Sequence, residues 1–599
     1  MKILKISKVT LLVIVATILL SIFTFKDSLS LALSGDDWLL HYTIWIVFDV
    51  QKSQNYFNPM TYVCTYCPHY LFLSLIKYFW GISPFHHYLI SLLVRIGIAL
   101  SLFLLTKKLT KQVFPAALAA LFFSVNYIGI QTTDWVFNFT HYMGVMAVAI
   151  FLLLYFKARS SGSLKHLLFI SLAFAAALII SPPRMHGLFP LVLVIEIGSL
   201  IIEGKKYNFK KAILRILVIL VTYKIVFGNP GYGTTEYNLA QVFKGLELAK
   251  TMLSNGNFAF LFNPISSIGN FVIPDLLWQK FSLTNVWSLL PVAIFFSTLS
   301  SCILYLARIK KTSILIYIMS LLIYFLLIAV TRRLNINFYS IQQTGYALIG
   351  GYSVLLSLWL LVGLRKSKPL LSYAILVGIG WMFTFNLFPW LIAPYQIMES
   401  GFRYSVQQSA GLSLWMATIF TIAYYGLKEK KLYKFEGVLY LFILIFILMH
   451  ISFSQQYLSF VKLNRNVDLD NRLWSKIFQD IPEISQDTPS IFFLSYDNYQ
   501  IAEGDLRFGF SSRTALHYSI TNQKANPFMI YEYDKLLSMV TDGEALKAQG
   551  YPESDPITLD YVYGYVLKNG ELINVTYQLR EKLAEDVLVW QKENLQLLP

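Results

Sequence analysis

Residues 8–42 read KVTLLVIVATILLSIFTFKDSLSLALSGDDWLLHY. Within 8–25 the only charge is the leading Lys8. A helix that crosses the hydrocarbon layer needs about 20 mostly apolar residues. The run is long for the apolar core of a cleaved signal peptide, so it reads as a retained first helix. Working outward, twelve more runs of this kind follow: 85–106, 113–130, 141–157, 166–182, 187–203, 212–228, 286–307, 312–331, 344–364, 370–390, 407–426 and 437–453. The pattern predicts a polytopic α-helical membrane protein of about 13 transmembrane helices. Composition agrees. The 599 residues are 56% hydrophobic and 14% charged, with a mean hydropathy of +0.56. A soluble globular chain carries about 25% charged residues, so a water-soluble single domain and a disordered chain are both excluded.

The net charge of +16 divides unevenly. Residues 1–453 hold 36 Lys and Arg against 13 Asp and Glu, and residues 454–599 hold 13 against 20. Seven short segments take 24 of the 36 basic residues, in every second gap between runs: Lys2 to Lys8, Lys107 to Lys111, Lys157 to Lys165, Lys205 to Arg215, Arg308 to Lys311, Arg365 to Lys368 and Lys428 to Lys434. Basic residues concentrate in cytoplasmic loops, so the N-terminus is expected inside and the tail outside. The excess is loop charge, and no nucleic-acid partner is expected. The expected units are a membrane domain, 1–453, and a soluble extracytoplasmic domain, 454–599. Two long outer segments interrupt the first, at 26–84 and 229–285. The tail reads as a small α/β domain, with IFFLSY and LDYVYGYVL as strands and KLLSMV and LREKLAEDVLVW as helices. Three cysteines exclude a disulfide scaffold. Cys64 and Cys67, near His69, form one CxxC, read as a local disulfide or plain thiols.

The few acids stand out, because a carboxylate near a membrane core is costly and suggests function. In SGDDWLLHY, Asp36 and Asp37 follow the outer end of the first helix, with Trp38 and His41 behind them. A carboxylate aimed into a cavity there can take a proton from an attacking group or bind a divalent cation such as Mg or Mn. It can equally cap the helix WLLHYTIWIVF. In QTTDWVFNFTHY, Asp134 and Trp135 occupy the next short outer turn, as a site residue or as a turn residue. Arg184, Arg332, Arg333 and Arg403 sit at outer helix ends, against the basic trend. They suit a phosphate, through paired donors, or a lipid headgroup. Arg95, inside a span, requires a partner or a wet cavity.

These residues resemble a family. Gly35-Asp36-Asp37-Trp38 after one helix, YCPHYLFLSLIKYFWGISPFHHYLISLLVR (66–95), ALAALFFSVNYIGIQTTDWV (117–136) and the helix opening Arg403-Tyr404 follow the order seen in GT-C glycosyltransferases. The nearest likeness is to the protein O-mannosyltransferase-like bacterial members. The chain departs from them at Pro183-Arg184-Met185-His186 and in having Ser91 and Arg95 on the second helix, and it lacks the oligosaccharyltransferase signature WWDYG. The resemblance implies an inverting sugar transfer on the outer face of a bacterial inner membrane. The donor would be a polyprenyl-phosphate sugar and the acceptor a glycan, lipid or protein. It further implies a base at Asp36 or Asp37 with Asp134 in support, and phosphate contacts from Arg403, Arg332, Arg333 or Arg184. Sugar or acceptor contacts would come from Trp38, His41 and Trp135. The competing readings are an oligosaccharide polymerase or ligase, which relies on late-loop arginines, and a transporter, which carries broken helices at the midplane.

Overall fold

The computed structural model describes residues 7–52, 67–136, 139–161, 163–227, 239–257, 259–281, 283–333, 340–394, 396–548 and 556–595. Cys64 and the side chains of Cys67, His69, Arg184 and Arg333 lie outside the described set.

Each predicted run falls on a helix. The first half contains α1 (Lys8–Phe25), α2 (Asp36–Ile44), α3 (Cys67–Trp80), α4 (Pro84–Thr110), α5 (Val113–Val125), α6 (Phe139–Ser161), α7 (Leu164–Ile180), α8 (Leu188–Glu203) and α9 (Phe209–Phe227). The second contains α10 (Leu239–Ser254), α11 (Ala259–Val272), α12 (Asp275–Trp278), α13 (Leu290–Leu306), α14 (Lys311–Arg333), α15 (Ile341–Leu364), α16 (Pro369–Ile392), α17 (Val406–Glu429) and α18 (Glu436–Asn464). Ten helices among the described residues are long and apolar enough to cross a membrane, against the thirteen expected. The other three runs are helical but fall short. α5 has 13 residues and α7 has 17, while α9 carries Lys210, Lys211, Arg215 and Lys224. Leu12, Leu19, Ile316, Ile323 and Leu441 stand more than half exposed on α1, α14 and α18. Such faces suit lipid, and the chain is a multi-pass membrane protein.

Three departures from the sequence reading shape the site. First, α5 stops at Val125 instead of running to 130. Asn126 is extended there, and its side chain accepts from Ile128 N–H (2.9 Å) and donates to the Ser409 carbonyl (3.3 Å). Second, α18 runs 11 residues past Phe453, so the membrane helix carries its own end up to the outer acids. Third, the 229–285 segment is not simply a loop. Within it α11 is folded into the bundle against α15. That crossing depends on absent side chains: a Cβ on Gly269 would lie 1.9 Å from the Tyr346 carbonyl oxygen, and one on Gly350 would lie 1.8 Å from that of Ile265. Small residues let membrane helices approach this closely. Gly350→Ala is expected to cost about 2–3 kcal/mol by overpacking, read as a lower thermal midpoint in detergent.

Beyond α18 comes α19 (Val467–Asp480) and a four-stranded sheet in the order β2-β1-β3-β4. Strand β1 (Ile491–Tyr496) pairs in parallel with β2 (Phe528–Ile530) and β3 (Val562–Lys568), while β4 (Glu571–Asn574) is antiparallel to β3. The predicted strands and the helices Tyr533–Thr541 and Thr576–Leu595 are present. The chain is thus a polytopic helical domain followed by a small α/β domain.

Candidate active site at the acid-bearing end of the bundle

Glycine fixes the first turn of the site. Gly35 has φ +56° and ψ −120°, and it caps α2 so that Asp36 and Asp37 open the helix. Carboxylates are favoured at a helix N-terminus. The two acids then part. Asp37 is fully buried, and its Oδ2 accepts the Ser34 N–H at 3.2 Å, so it reaches back to brace its own turn. Asp36 keeps partial exposure. Burial raises its carboxyl above the ordinary aspartate range, and the Arg403 guanidinium opposes that shift.

Asp134 and Arg403 reach this place through two paired loops. The 126–136 loop lies along 400–403, with Gly129 N–H on the Ser400 carbonyl (2.9 Å) and Gln131 N–H on that of Gly401 (3.1 Å). The Thr132 hydroxyl donates to the Arg403 carbonyl at 3.2 Å, and the Arg403 N–H donates to Gln131 Oε1 at 3.3 Å. The Arg403 guanidinium lies over the Trp135 ring, 4.7 Å from its centroid. From α18, the Tyr457 hydroxyl donates to Asp134 Oδ2 at 2.9 Å, and Arg465 Nη2 stands 4.0 Å from the same oxygen. The Asp134 carbonyl takes a bond from Arg465 and lies 3.1 Å from the Tyr88 hydroxyl. Burial raises the Asp134 carboxyl, with Arg465, Tyr457 and Arg403 pulling it back down.

Arg95 anchors the loop from inside the membrane. It is buried, with Nη1 on the Tyr142 hydroxyl (2.6 Å), Nη2 on the Asn126 carbonyl (2.6 Å) and its guanidinium 3.7 Å from the Phe25 ring centroid. The Tyr142 hydroxyl in turn meets the Thr133 hydroxyl, next to Asp134.

The C-terminal domain covers the site. The Phe508 carbonyl takes the Gly35 N–H at 3.0 Å, Ser34 donates to the Gly504 carbonyl at 2.8 Å, and the Phe508 ring stands 5.6 Å from that of Trp135. A Cβ on Gly35 would sit 1.9 Å from the Phe508 ring. Gly35→Ala therefore combines a backbone that L-residues avoid with a direct clash. It is expected to displace Phe508 and expose the 500–510 segment, read as faster limited proteolysis there.

The remaining expected residues are placed differently. Trp38 donates its indole N–H to the Leu33 carbonyl (3.0 Å), and its face is taken by Arg513 of the C-terminal domain (4.2 Å), which also stacks on Trp474 (4.3 Å) and pairs with Asp470. His41 is fully buried, edge-on to His87 at 5.1 Å. Burial, with His87 and Lys77 nearby, holds it well below the ordinary histidine range and hence neutral. Arg332 lies in the last turn of α14, which packs chiefly on α13 and α15 rather than on α2 or the 126–136 loop. The structure thus brings Asp36, Asp134, Trp135 and Arg403 together. It adds Tyr457, Arg465 and Phe508, all beyond the point where hydropathy ended the membrane domain.

Among the described residues, no three of His, Cys, Asp and Glu gather as ligands for a metal ion. Asp37 is turned to Ser34 N–H, and Asp134 to Tyr457 and Arg465.

No family model and no curated protein matches the chain. Solved structures do match, among them three of an Archaeoglobus fulgidus oligosaccharyltransferase. The apo form is 13% identical over 93% of this chain and 69% of that one, with a TM-score of 0.46. The AglB complex with an inhibitory peptide and a dolichol-phosphate gives 12%, 93%, 69% and 0.47. The complex with Zn and sulfate gives 13%, 92%, 67% and 0.48. At this level the likeness is one of general layout, and no residue role rests on it.

Proposed function

We propose that the chain is a GT-C-type membrane glycosyltransferase that moves a sugar from a polyprenyl-phosphate donor to an acceptor, with inversion. The observation that carries this reading is the partly exposed carboxylate of Asp36 standing within electrostatic reach of the Arg403 guanidinium, which lies over the Trp135 ring, at the end of the bundle opposite the lysine clusters. The resemblance of the residues around Asp36, Asp134 and Arg403 to this class supports it. In this reading the basic end faces the cytoplasm of a bacterial inner membrane, and the site and C-terminal domain face outward.

The chemistry needs a proton acceptor and a stabiliser of departing charge. Asp36 takes the proton from the acceptor's hydroxyl or amide as that atom bonds the anomeric carbon. The bond from that carbon to the phosphate oxygen breaks on the opposite face, and the phosphate leaves with the electron pair. Arg403 meets the charge that develops on it, in a site where Phe508 and Trp135 limit water. Asp134, Tyr457 and Arg465 hold the 126–136 loop, and hence Arg403, in register. Trp135 packs on the sugar ring beside the guanidinium.

The test is transfer from a panel of radiolabelled polyprenyl-phosphate sugars by the purified protein. Product from at least one donor, with inverted anomeric configuration, is expected. If every monosaccharide lipid is inert while an oligosaccharide lipid is polymerised, the polymerase reading replaces this one.

The carboxyl shifts give transfer a pH dependence. A base must be ionised, and burial raises Asp36, so the acid limb of kcat/KM is expected above the ordinary aspartate value of about 3.9. Stability runs the other way. The folded chain holds the Asp36 and Asp134 protons more tightly than the unfolded chain. Their contribution is complete below the unfolded pKa and is lost as pH rises through the folded one. Mild acidification is therefore expected to slow transfer without lowering the thermal midpoint through these groups.

A further inference from the structure

The lysine-rich end of the bundle contains a cavity of about 380 Å³ between the ends of α4, α6, α9 and α16. Lys108, Lys111, Arg159, Lys206, Lys211 and Arg215 line it. The distribution of basic residues along the chain accounts for lysines at this end. It does not account for their convergence on one hollow.

The two arginines are already satisfied. Glu196, 2% exposed, takes Arg159 at 2.6 Å, Arg215 at 2.8 Å and the Tyr207 hydroxyl at 2.8 Å. The second Nη of Arg159 goes to Glu203 at 2.8 Å, and Tyr373 donates to the same carboxylate. This buried cluster ties α6, α8, α9 and α16 into a fixed wall. The four lysines that line the hollow have no carboxylate within 4 Å among the described residues. Their positive charge therefore points at an anion from outside the chain. Phe156 and Leu370 add apolar surface to the same hollow, and Leu370 is 41% exposed. A basic pocket between helix ends with an apolar margin matches an anionic lipid, with its phosphate among the lysines and its chains along the bundle.

We propose that this cavity binds the phosphate of an anionic phospholipid headgroup. The proposal is independent of the transferase reading, because it concerns the opposite end of the bundle.

The test uses the full chain purified in an uncharged detergent, titrated with short-chain phosphatidylglycerol, with phosphatidylcholine of equal chain length and with inorganic phosphate. Phosphatidylglycerol is expected to bind and to raise the thermal midpoint, phosphatidylcholine to do neither, and phosphate to compete. The variant Lys108→Gln/Lys206→Gln/Lys211→Gln should weaken phosphatidylglycerol by about tenfold or more. Removing three charges elsewhere in the basic clusters, as Lys310→Gln/Lys311→Gln/Lys366→Gln, should change it by no more than about twofold. Equal weakening by both triple variants would mean diffuse attraction and would overturn the site. Binding of phosphate without phosphatidylglycerol would overturn the lipid in favour of a soluble anion. Absence of binding by either overturns the proposal.

Discussion

Asp36→Asn is expected to lower sugar transfer by about 10³-fold with the fold intact, since a positioned base is worth about 10²–10⁴. The substitution keeps size and hydrogen-bonding capacity but removes the proton acceptor. Its neighbour supplies the control. Asp37 is fully buried and accepts the Ser34 N–H at 3.2 Å. Asp37→Asn keeps an oxygen for that bond and should cost stability more than turnover. The measurement is single-turnover transfer with the best donor, beside the thermal midpoint of each variant. Wild-type transfer by Asp36→Asn would remove the base from this position and make Asp134 the next residue to test. Equal losses in both variants, with equal loss of stability, would show that the α2 turn acts as scaffolding alone.

Arg403→Gln is expected to lower kcat by about 10²-fold or more, the typical cost of losing one donor to developing charge. The guanidinium lies 4.7 Å from the Trp135 ring centroid and its charge is felt at Asp36, so both charge and planar shape are in use. Arg403→Lys keeps the charge but loses the flat stacking surface, and should fall between the two. A stabiliser of the leaving phosphate lowers kcat and kcat/KM together. A rise in KM with kcat unchanged would instead assign Arg403 to ground-state donor binding. An acid limb that moves toward lower pH as charge is restored from Gln to Lys to Arg would show that Arg403 also tunes Asp36. The two variants should not be additive, because their targets are in electrostatic contact.

These predictions mix what the chain announces with what folding assembles. The helical membrane architecture is legible because a span needs a long apolar stretch, and each of the thirteen runs is helical. The α/β tail is legible for the same local reason, since IFFLSY becomes β1. Asp36, Asp134 and Arg403 stand out because charge at the non-basic ends of spans is rare and costly. The count of spans was less legible. Whether α5, α7 and α9 cross depends on length and charge at the margin, and α11 hides inside a segment whose polarity reads as loop.

Local sequence also could not divide the labour between adjacent acids. Asp36 and Asp37 are one residue apart and chemically the same. Gly35 turns one of them inward to Ser34 N–H and leaves the other partly exposed, within electrostatic reach of Arg403. Trp38 reads as a free aromatic face, yet Arg513, from 475 residues along the chain, covers it. Tyr457 and Arg465 carry no local signal at all. They matter because α18 continues beyond its apolar run and delivers them to Asp134. The sequence by itself determined the solvent each segment prefers and the few places where charge sits at a cost, because those are sums over neighbouring residues. The tertiary structure alone decided which charges meet, because pairing depends on directions set by helix ends, two hydrogen-bonded loops and a C-terminal domain folded back over the first turn.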